Sequence, residues 1–316
     1  MIRRLVLLAA ATVLAFPAEA QQPPPPRLLV VITVDGLSTA LFDEYRAQSS
    51  GGFAELASGT EFRDVAPPAG AGQALGDAIK AQWPASREVA VAGARGATPR
   101  FSGAGADQRW FWTGTRFETD RPSARVPKVV PKVNAAVTAA LARPRPPLEP
   151  TPFCQSKGAA GDSGQLARRG GDAAAFDASP ELDGDTLGLA AGLVDEMQLG
   201  RGAVPDMLAI GLSATGNVAH AYGAQSEQMC LQLTELDREI GDFLALLDNR
   251  GIDYAVALTG TGEGQVPVVL WRPGFRGAAV DAPVTPADLQ KTLAVLIGIP
   301  AGIEGRCLEG TPAFCS

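Results

Sequence analysis

A run of seven apolar or β-branched residues, Leu28 to Val34, constrains the fold of this chain more than any other feature. It ends at the turn-forming pair Asp35-Gly36. A strand with one solvent-exposed face alternates apolar and polar residues, whereas this run does not alternate. The run therefore predicts a strand buried on both faces, as found in parallel sheets covered by helices.

Further strand and helix patterns alternate along the chain. Candidate strands are Glu88–Ala92, Met207–Leu212, Tyr254–Thr259 and Val266–Trp271. Candidate helices are Ala74–Gln82, Asp185–Leu199, residues 226–249 and Pro286–Ile297. In the helix at 226–249, apolar residues recur every three or four positions, which is typical of a helix with one buried face. The alternation predicts an α/β fold, with a mainly parallel central sheet and helices on both faces.

The middle of the chain, residues 93–180, differs in composition from the rest. It is rich in Gly, Pro, Ala and Arg, and it includes Arg-Pro-Arg-Pro-Pro at 143–147. We interpret it as an insertion or reduced lid on a single domain of residues 28–316, outside the central sheet. The whole chain is 46% apolar and 19% charged, which provides a large core and excludes a disordered or collagen-like chain.

The first twenty residues indicate an export signal. Arginines at 3–4 precede an apolar run from Leu5 to Phe16, and small residues follow at Ala18–Ala20. The run has 12 residues, fewer than the roughly 20 of a membrane-spanning helix, and a membrane anchor is the alternative. We predict a signal peptide at 1–20, a Pro-rich spacer at 21–27, a secreted or periplasmic mature protein, and no transmembrane segment after cleavage.

The cysteines are consistent with this location. In an oxidising compartment, four cysteines would form two disulfides in one of three connectivities. Cys307 and Cys315 are eight residues apart, so a local loop is the simplest pairing, and it leaves Cys154 with Cys230.

The charge balance and the histidine count exclude two classes of function. The chain has 27 Lys and Arg against 34 Asp and Glu, a net charge of −7. Nucleic-acid binding needs clustered Lys and Arg, so we expect no nucleic-acid partner, and the sequence identifies no other partner. His220 is the single histidine, which excludes most multi-histidine metal sites within this chain.

Three loops that follow predicted strands are candidates for one site. Asp35 follows the first strand, residues 213–220 follow the strand at 207–212, and residues 259–264 follow the strand that begins at Tyr254. Ligands in open α/β sheets bind beyond the C-terminal ends of the strands. We therefore expect Asp35, Gly216 and Thr261 near the same edge of the sheet.

Several segments in and around these loops match a known sequence pattern. They are Val31–Gly36, Gly52–Leu56, Ala209–Gly223, Leu236–Arg238 and Ile303–Cys307. Together they resemble the alkaline phosphatase superfamily, and most closely its type I phosphodiesterase/nucleotide pyrophosphatase branch, over roughly 27–115 and 179–308. The resemblance implies the α/β fold of that superfamily. It also implies phosphate-ester hydrolysis at two zinc ions, with a Ser or Thr nucleophile.

The site residues that the resemblance implies are mostly replaced. Asp35 and His220 match metal-ligand positions, but Gly216 stands where the family's Asp-x-x-x-His motif has its aspartate. The position of the nucleophile is Ala69, and residues 61–85 contain no Ser or Thr. The Ala-Asp-His-Gly stretch that would supply two further ligands is Gly-Thr-Gly-Glu at 260–263.

We therefore hypothesise a catalytically degenerate pseudoenzyme that acts as a binding or scaffolding domain. Asp35 and His220 would be residual ligand positions, with no cofactor, or with zinc if the family site is retained in some form. The alternative is an active phosphomonoester or phosphodiester hydrolase of the same family. A third hypothesis is a different hydrolase that uses Glu263 and His220 as an acid–base pair. We interpret His220 itself as a hydrogen-bonded histidine packed under the lid.

Overall fold

The computed structural model describes residues 24–63, 65, 75–96, 102–121, 125–157, 166–262, 264–299, 302–313 and 315. Within them, nine strands form one sheet. The strands are β1 (Leu28–Asp35), β2 (Thr60–Phe62), β3 (Glu88–Ala92), β4 (Gln108–Trp112), β5 (Phe117–Glu118), β6 (Asp206–Leu212), β7 (Tyr254–Thr261), β8 (Val268–Trp271) and β9 (Ala279–Val280).

Helices connect and cover these strands. Those of the described residues are α1 (Thr39–Arg46), α2 (Gly52–Leu56), α3 (Leu75–Gln82), α4 (Val129–Leu141), α5 (Pro152–Gln155), α6 (Ala173–Asp177), α7 (Pro180–Met197), α8 (Ala214–Tyr222), α9 (Glu227–Asn249) and α10 (Pro286–Leu296).

The strand order across the sheet is β5-β4-β3-β6-β1-β7-β8-β2-β9. The central strands β4, β3, β6, β1 and β7 run parallel to one another. Antiparallel pairing occurs toward the edges, where β5 joins β4 and β8 joins β7 and β2. The predicted α/β class with a mainly parallel sheet is confirmed.

Strand β1 is buried on both faces, as the apolar run predicts. Its residues from Leu28 to Val34 are at most 5% exposed. Leu28, Val30, Ile32 and Val34 belong to a core that includes buried residues of α1, α7 and α9. Leu29 and Val31 belong to a second core, on the opposite face, that includes buried residues of α3 and α10. Helices therefore cover both faces, also as predicted.

The placement of residues 93–180 outside the central sheet is wrong in part. Strand β4 pairs in parallel with β3, and β5 continues the sheet beyond it. Trp110, Trp112 and Phe117 are at most 5% exposed, because they face the core that β1 and α7 share. Short aromatic strands within a Gly- and Pro-rich segment gave too weak a pattern to be recognised. The domain boundaries themselves stay a prediction.

Two disulfides join the predicted partners. Cys154 in α5 is bonded to Cys230 in α9, and Cys307 is bonded to Cys315. The proposed signal peptide lies outside the described residues. Within the described part of the chain, no helix is both long and apolar enough to cross a membrane.

A buried carboxylate holds α2 against α9. Asp237, 6% exposed, accepts hydrogen bonds from the backbone N–H groups of Ser50, Gly51 and Phe53, at 3.2, 2.9 and 2.7 Å. A Cβ atom on Gly51 would lie 2.6 Å from the Asp237 carbonyl oxygen, so the two backbones touch. The bonds from Gly51 and Phe53 occupy donors that the N-terminus of α2 leaves without helical partners, and the third comes from Ser50, the residue before the N-cap. The motif residue Asp237 therefore has a structural role.

Replacing Asp237 with Asn should destabilise the protein by about 2–3 kcal/mol, because an amide N–H₂ group would then face buried N–H donors. Urea unfolding measures the loss. Asp242→Asn is the matched control, since its side chain is exposed on the same helix, and it should change stability by less than about 0.5 kcal/mol. Equal effects of the two variants would refute the structural role of Asp237.

Candidate functional site

The C-terminal ends of three parallel strands meet at Asp35. Strand β1 lies between β6 and β7, so Val34 is opposite Leu212 on one side and Gly260 on the other. One position further, Asp35 is opposite Thr261. The parallel register therefore brings the loop after β1, the start of α8 and the end of β7 together, as the sequence analysis expects.

Asp35 is bonded directly to the end of β7. The Thr261 hydroxyl Oγ1 donates to Asp35 Oδ1 at 2.5 Å. The Gly36 N–H donates to the Thr261 carbonyl oxygen at 3.0 Å. Gly36 has φ +75°, a left-handed conformation that glycine adopts without strain. This turn holds the Asp35 carboxylate in a fixed place at the sheet edge.

Helix α8 approaches the same carboxylate through Gly216. A Cβ atom at Gly216 would lie 2.4 Å from Asp35 Oδ2 and 2.8 Å from its Cγ. A Cβ atom at Gly36 would lie 2.9 Å from the Cα of Gly216. The β1 turn and α8 are thus in contact through two glycines. With Asp35 in this conformation, position 216 has no room for a side chain.

His220 lies one helical turn after Gly216, about 6 Å further along the axis of α8. Its side chain is exposed, and no hydrogen bond or ion pair joins it to the described residues. The interpretation of His220 as a hydrogen-bonded histidine packed under the lid is therefore wrong. Its place in the last turn of α8 directs it to solvent, because Ala214, Thr215 and Val218 form the buried face. Ala69 and Glu263 lie outside the described residues.

A buried aspartate that the sequence analysis missed accepts hydrogen bonds from the N-terminus of α8. Asp183 in α7 is fully buried, and its Oδ1 accepts from the N–H groups of Ser213 and Ala214 at 3.0 and 3.1 Å. Gln232 Nε2 donates to its Oδ2 at 3.0 Å. Burial raises the pKa of Asp183 to about 7 against the effect of these hydrogen bonds, and the negative charge of Asp35 adds to the rise.

A second carboxylate, that of Glu239, lies nearby with its side chain 14% exposed and the Arg238 guanidinium 3.5 Å from its Oε1 atom. The Glu239 Oε2 atom is inaccessible to water and has no hydrogen-bond partner in the described structure. Gly184 of α7 makes room for this group, since a Cβ atom there would lie 2.7 Å from Glu239 Oε1. Burial raises the pKa of Glu239 to about 9, and the negative charge of Asp183 contributes. Asp183 of α7 and Glu239 of α9 therefore form an acidic pair between these two helices.

A cavity of about 250 Å³ opens beside Asp35. The residues that line it are Thr33, Asp35, Ala94, Gly96, Leu212, Ser213 and Thr261. The Leu212 side chain itself is fully buried in the core on the opposite face of the sheet. The three hydroxyl residues are at most 7% exposed, whereas Asp35 is exposed at the mouth. Thr33 was visible in the sequence only as the single hydroxyl within the apolar run.

These residues do not fit the two-zinc site that the resemblance implies. Zinc in proteins takes Cys, His and carboxylate ligands, usually four to an ion. Across the described residues, no group of three or more His, Cys, Asp and Glu side chains is arranged to hold a metal ion. Gly216 contributes no ligand, and its contact with Asp35 occupies the space where a ligand side chain would start.

The comparisons with known proteins identify the family. The sequence model described as type I phosphodiesterase / nucleotide pyrophosphatase matches residues 96–267, more than half of the chain. The chain belongs to this family. It is a member of the alkaline phosphatase superfamily, and the resemblance read from the sequence is confirmed.

Two curated relatives are named as alkaline phosphatases. Alkaline phosphatase PhoK of Sphingomonas sp. is 38% identical over 235 residues, which are 72% of this chain and 42% of that protein. Alkaline phosphatase PhoD of Zymomonas mobilis is 35% identical over 231 residues, which are 70% of this chain and 40% of that protein. The chain thus spans about two fifths of the length of each relative.

A solved structure shows the same fold. Wild-type alkaline phosphatase PafA superimposes with a TM-score of 0.63 at 17% identity, over 75% of this chain and 63% of that chain. At this level of identity the likeness describes the fold alone. The fold is therefore alkaline-phosphatase-like.

Substitution of Gly216 with Ala tests the contact with Asp35. At an ordinary position inside a helix, replacing glycine with alanine stabilises the protein by up to about 1 kcal/mol. Here we expect a loss of about 1–2 kcal/mol, because the added Cβ atom displaces the Asp35 carboxylate. In an Asp35→Ala background the loss should vanish. Chemical denaturation of the four proteins of this cycle measures the coupling.

Gly188→Ala is the matched control for that cycle. Gly188 is exposed in α7, and a Cβ atom there would meet nothing within 4 Å. It should stabilise the protein by about 0.5–1 kcal/mol in both backgrounds. A stabilising Gly216→Ala substitution in the wild-type background would contradict the contact.

Glu239 predicts a pH dependence of stability. Because its folded-state pKa, about 9, lies above the ordinary 4.5, the folded protein keeps a proton that the unfolded chain releases. Stability should therefore fall as pH rises between these values. From pH 7 to 9, above the pKa of about 7 of Asp183, the slope should approach about 1.4 kcal/mol per pH unit.

Glu239→Gln should remove most of that slope in urea unfolding measured at a series of pH values. Asp242→Asn on the same helix, where the side chain is 71% exposed, should leave the slope unchanged. The prediction fails if both variants keep the wild-type slope.

Proposed function

We propose that this chain is an exported, catalytically degenerate member of its family that acts as a binding or scaffolding domain. The observation that carries the proposal is the contact between Gly216 and Asp35. Gly216 has no side chain to serve as the expected metal ligand, and the contact places α8 directly against the Asp35 carboxylate. The sequence supports the same conclusion, since Ala69 replaces the nucleophile and the chain has one histidine.

The energetic demands of the family reaction support this proposal. Phosphate-ester hydrolysis requires a barrier reduction of roughly 20 kcal/mol, to which metal ions and nucleophile contribute as one unit. A hydroxyl placed at position 69 would still lack a group that lowers its pKa. The retained fold does not offset these losses, because fold and site chemistry are separable.

The charge of the cavity opposes phosphate binding. Of the described residues that line it, Asp35 is the charged one. A phosphate oxygen about 4 Å from this carboxylate costs on the order of 4 kcal/mol per pair of unit charges at an effective dielectric constant of 20. Arg95 lies in sequence between the lining residues Ala94 and Gly96 but does not itself line the cavity. Its guanidinium lies over the Phe111 ring, 4.2 Å from the centroid.

An active hydrolase is the second candidate, and one observation favours it. The two curated relatives, 38% and 35% identical to this chain, are both named as alkaline phosphatases. Under this alternative, a functional site would include residues outside the described part of the chain. The acid–base pair of Glu263 and His220 has less support, because His220 is exposed.

Metal analysis and turnover assays distinguish these candidates. Protein purified from the periplasm and dialysed against zinc should hold fewer than two zinc ions per chain. It should not hydrolyse an aryl phosphate or an aryl phosphodiester above background, and Ala69→Thr should leave it inactive. Purified PhoK is the positive control. Two equivalents of zinc, with turnover abolished by Asp35→Ala, would establish the hydrolase instead.

The same preparation tests export. N-terminal sequencing of the periplasmic protein should start at Gln21 if the predicted signal peptide is cleaved after Ala20. A periplasmic protein that retains Met1 would contradict cleavage.

A further inference from the structure

The cavity beside Asp35 has a polar lining on an otherwise apolar face of the sheet. On β1, Leu29 and Val31 face the core beneath α3 and α10, and Thr33 and Asp35 continue the same alternation. Thr261 of β7 and Ser213 after β6 contribute further oxygens from the two flanking strand ends. Four neighbouring oxygen-bearing side chains therefore replace apolar packing where the three strands end.

One of these oxygens has no partner. Ser213 is 3% exposed, and its Oγ atom has no hydrogen bond among the described residues. A buried hydroxyl without a partner destabilises the folded state. Rotation of the Ser213 side chain toward the cavity would let a ligand N–H donate to Oγ and relieve this cost.

The charge of the cavity selects a cation. Asp35 makes no ion pair with any residue in the described part of the chain, and its one side-chain hydrogen bond is from Thr261. Asp183, which accepts a hydrogen bond from the Ser213 N–H, is itself acidic and brings no positive charge to the site. Hydrogen bonds between an ionised carboxylate and a cationic donor are stronger than neutral ones.

We infer that this cavity binds a small primary ammonium ion, which rests on the proposed binding function and names its ligand class. An ammonium group has three N–H donors and no acceptor, and the cavity presents a carboxylate and three hydroxyl oxygens as acceptors. Ala94 would contact a short alkyl chain. A transition-metal ion is a poorer match, because Asp35 is the one described Asp, Glu, His or Cys side chain in the lining.

Isothermal titration with n-butylammonium at pH 7 tests the inference. For a ligand of five heavy atoms we expect a Kd of about 0.1–5 mM. Tetramethylammonium has the same charge without N–H donors and should bind about tenfold or more weakly. The neutral isostere n-butanol should show no measurable binding.

Variants of the lining identify the site. Asp35→Asn keeps an acceptor for Thr261 but removes the charge, and it should weaken butylammonium binding at least about tenfold. Ser213→Ala should weaken it about threefold while leaving stability equal or higher, a combination that a purely structural role would not produce. Asp281→Asn, an exposed substitution of the same charge, should bind like the wild type.

The inference is overturned if butylammonium does not bind, if butanol binds equally well, or if Asp35→Asn retains wild-type affinity with a native circular dichroism spectrum. These results are independent of the zinc and turnover assays. Turnover with two bound zinc ions would refute the proposed function whatever the amine titration shows. Absent turnover together with absent amine binding would refute the ligand class alone.

Discussion

The pairing of β1 with parallel strands on both sides is the constraint on which the rest of the structure depends. Because β6 and β7 are in register with it, the ends of all three strands lie at one edge, with Asp35 opposite Thr261. The burial of Leu28 to Val34 on both faces fixes that register, since a shift by one residue would move Asp35 and Thr33 to the opposite core. The site is thus a consequence of how the core strand is held.

Buried carboxyl groups hold the N-termini of two helices in this structure. Asp237 accepts three N–H groups at the start of α2, and Asp183 accepts two at the start of α8. In both places a carboxyl oxygen satisfies donors that a helix N-terminus leaves free. Asp183 also lies behind Ser213, and the negative charge of Asp35 helps to raise its pKa.

Local patterns predicted the central strands, and contacts between distant segments explain what was missed. Residues 28–34 read as a buried strand because their own sequence lacks alternation. Strand β4 was hidden because its five residues, Gln108–Trp112, lie within a segment dominated by Gly and Pro. The role of Asp183 depends on where α7 meets α8, and the approach of Gly216 to Asp35 depends on how α8 leaves β6. Neither contact has a signature within a few residues of sequence.

The contacts that stabilise this fold lie apart from the positions at which its site departs from the family pattern. Neither position 216 nor position 69 takes part in the contacts described above: the apolar packing of β1, the hydrogen bonds of Asp237 to α2, and the disulfide between Cys154 and Cys230. Glycine in place of the motif's aspartate at position 216 therefore removes no packing from the core, and it permits close contact with Gly36. A domain built in this way retains its sheet, its helices and its strand-end cavity while the chemistry of that cavity changes. The alkaline-phosphatase-like fold of this chain is accordingly compatible with a site that recognises a ligand of the opposite charge.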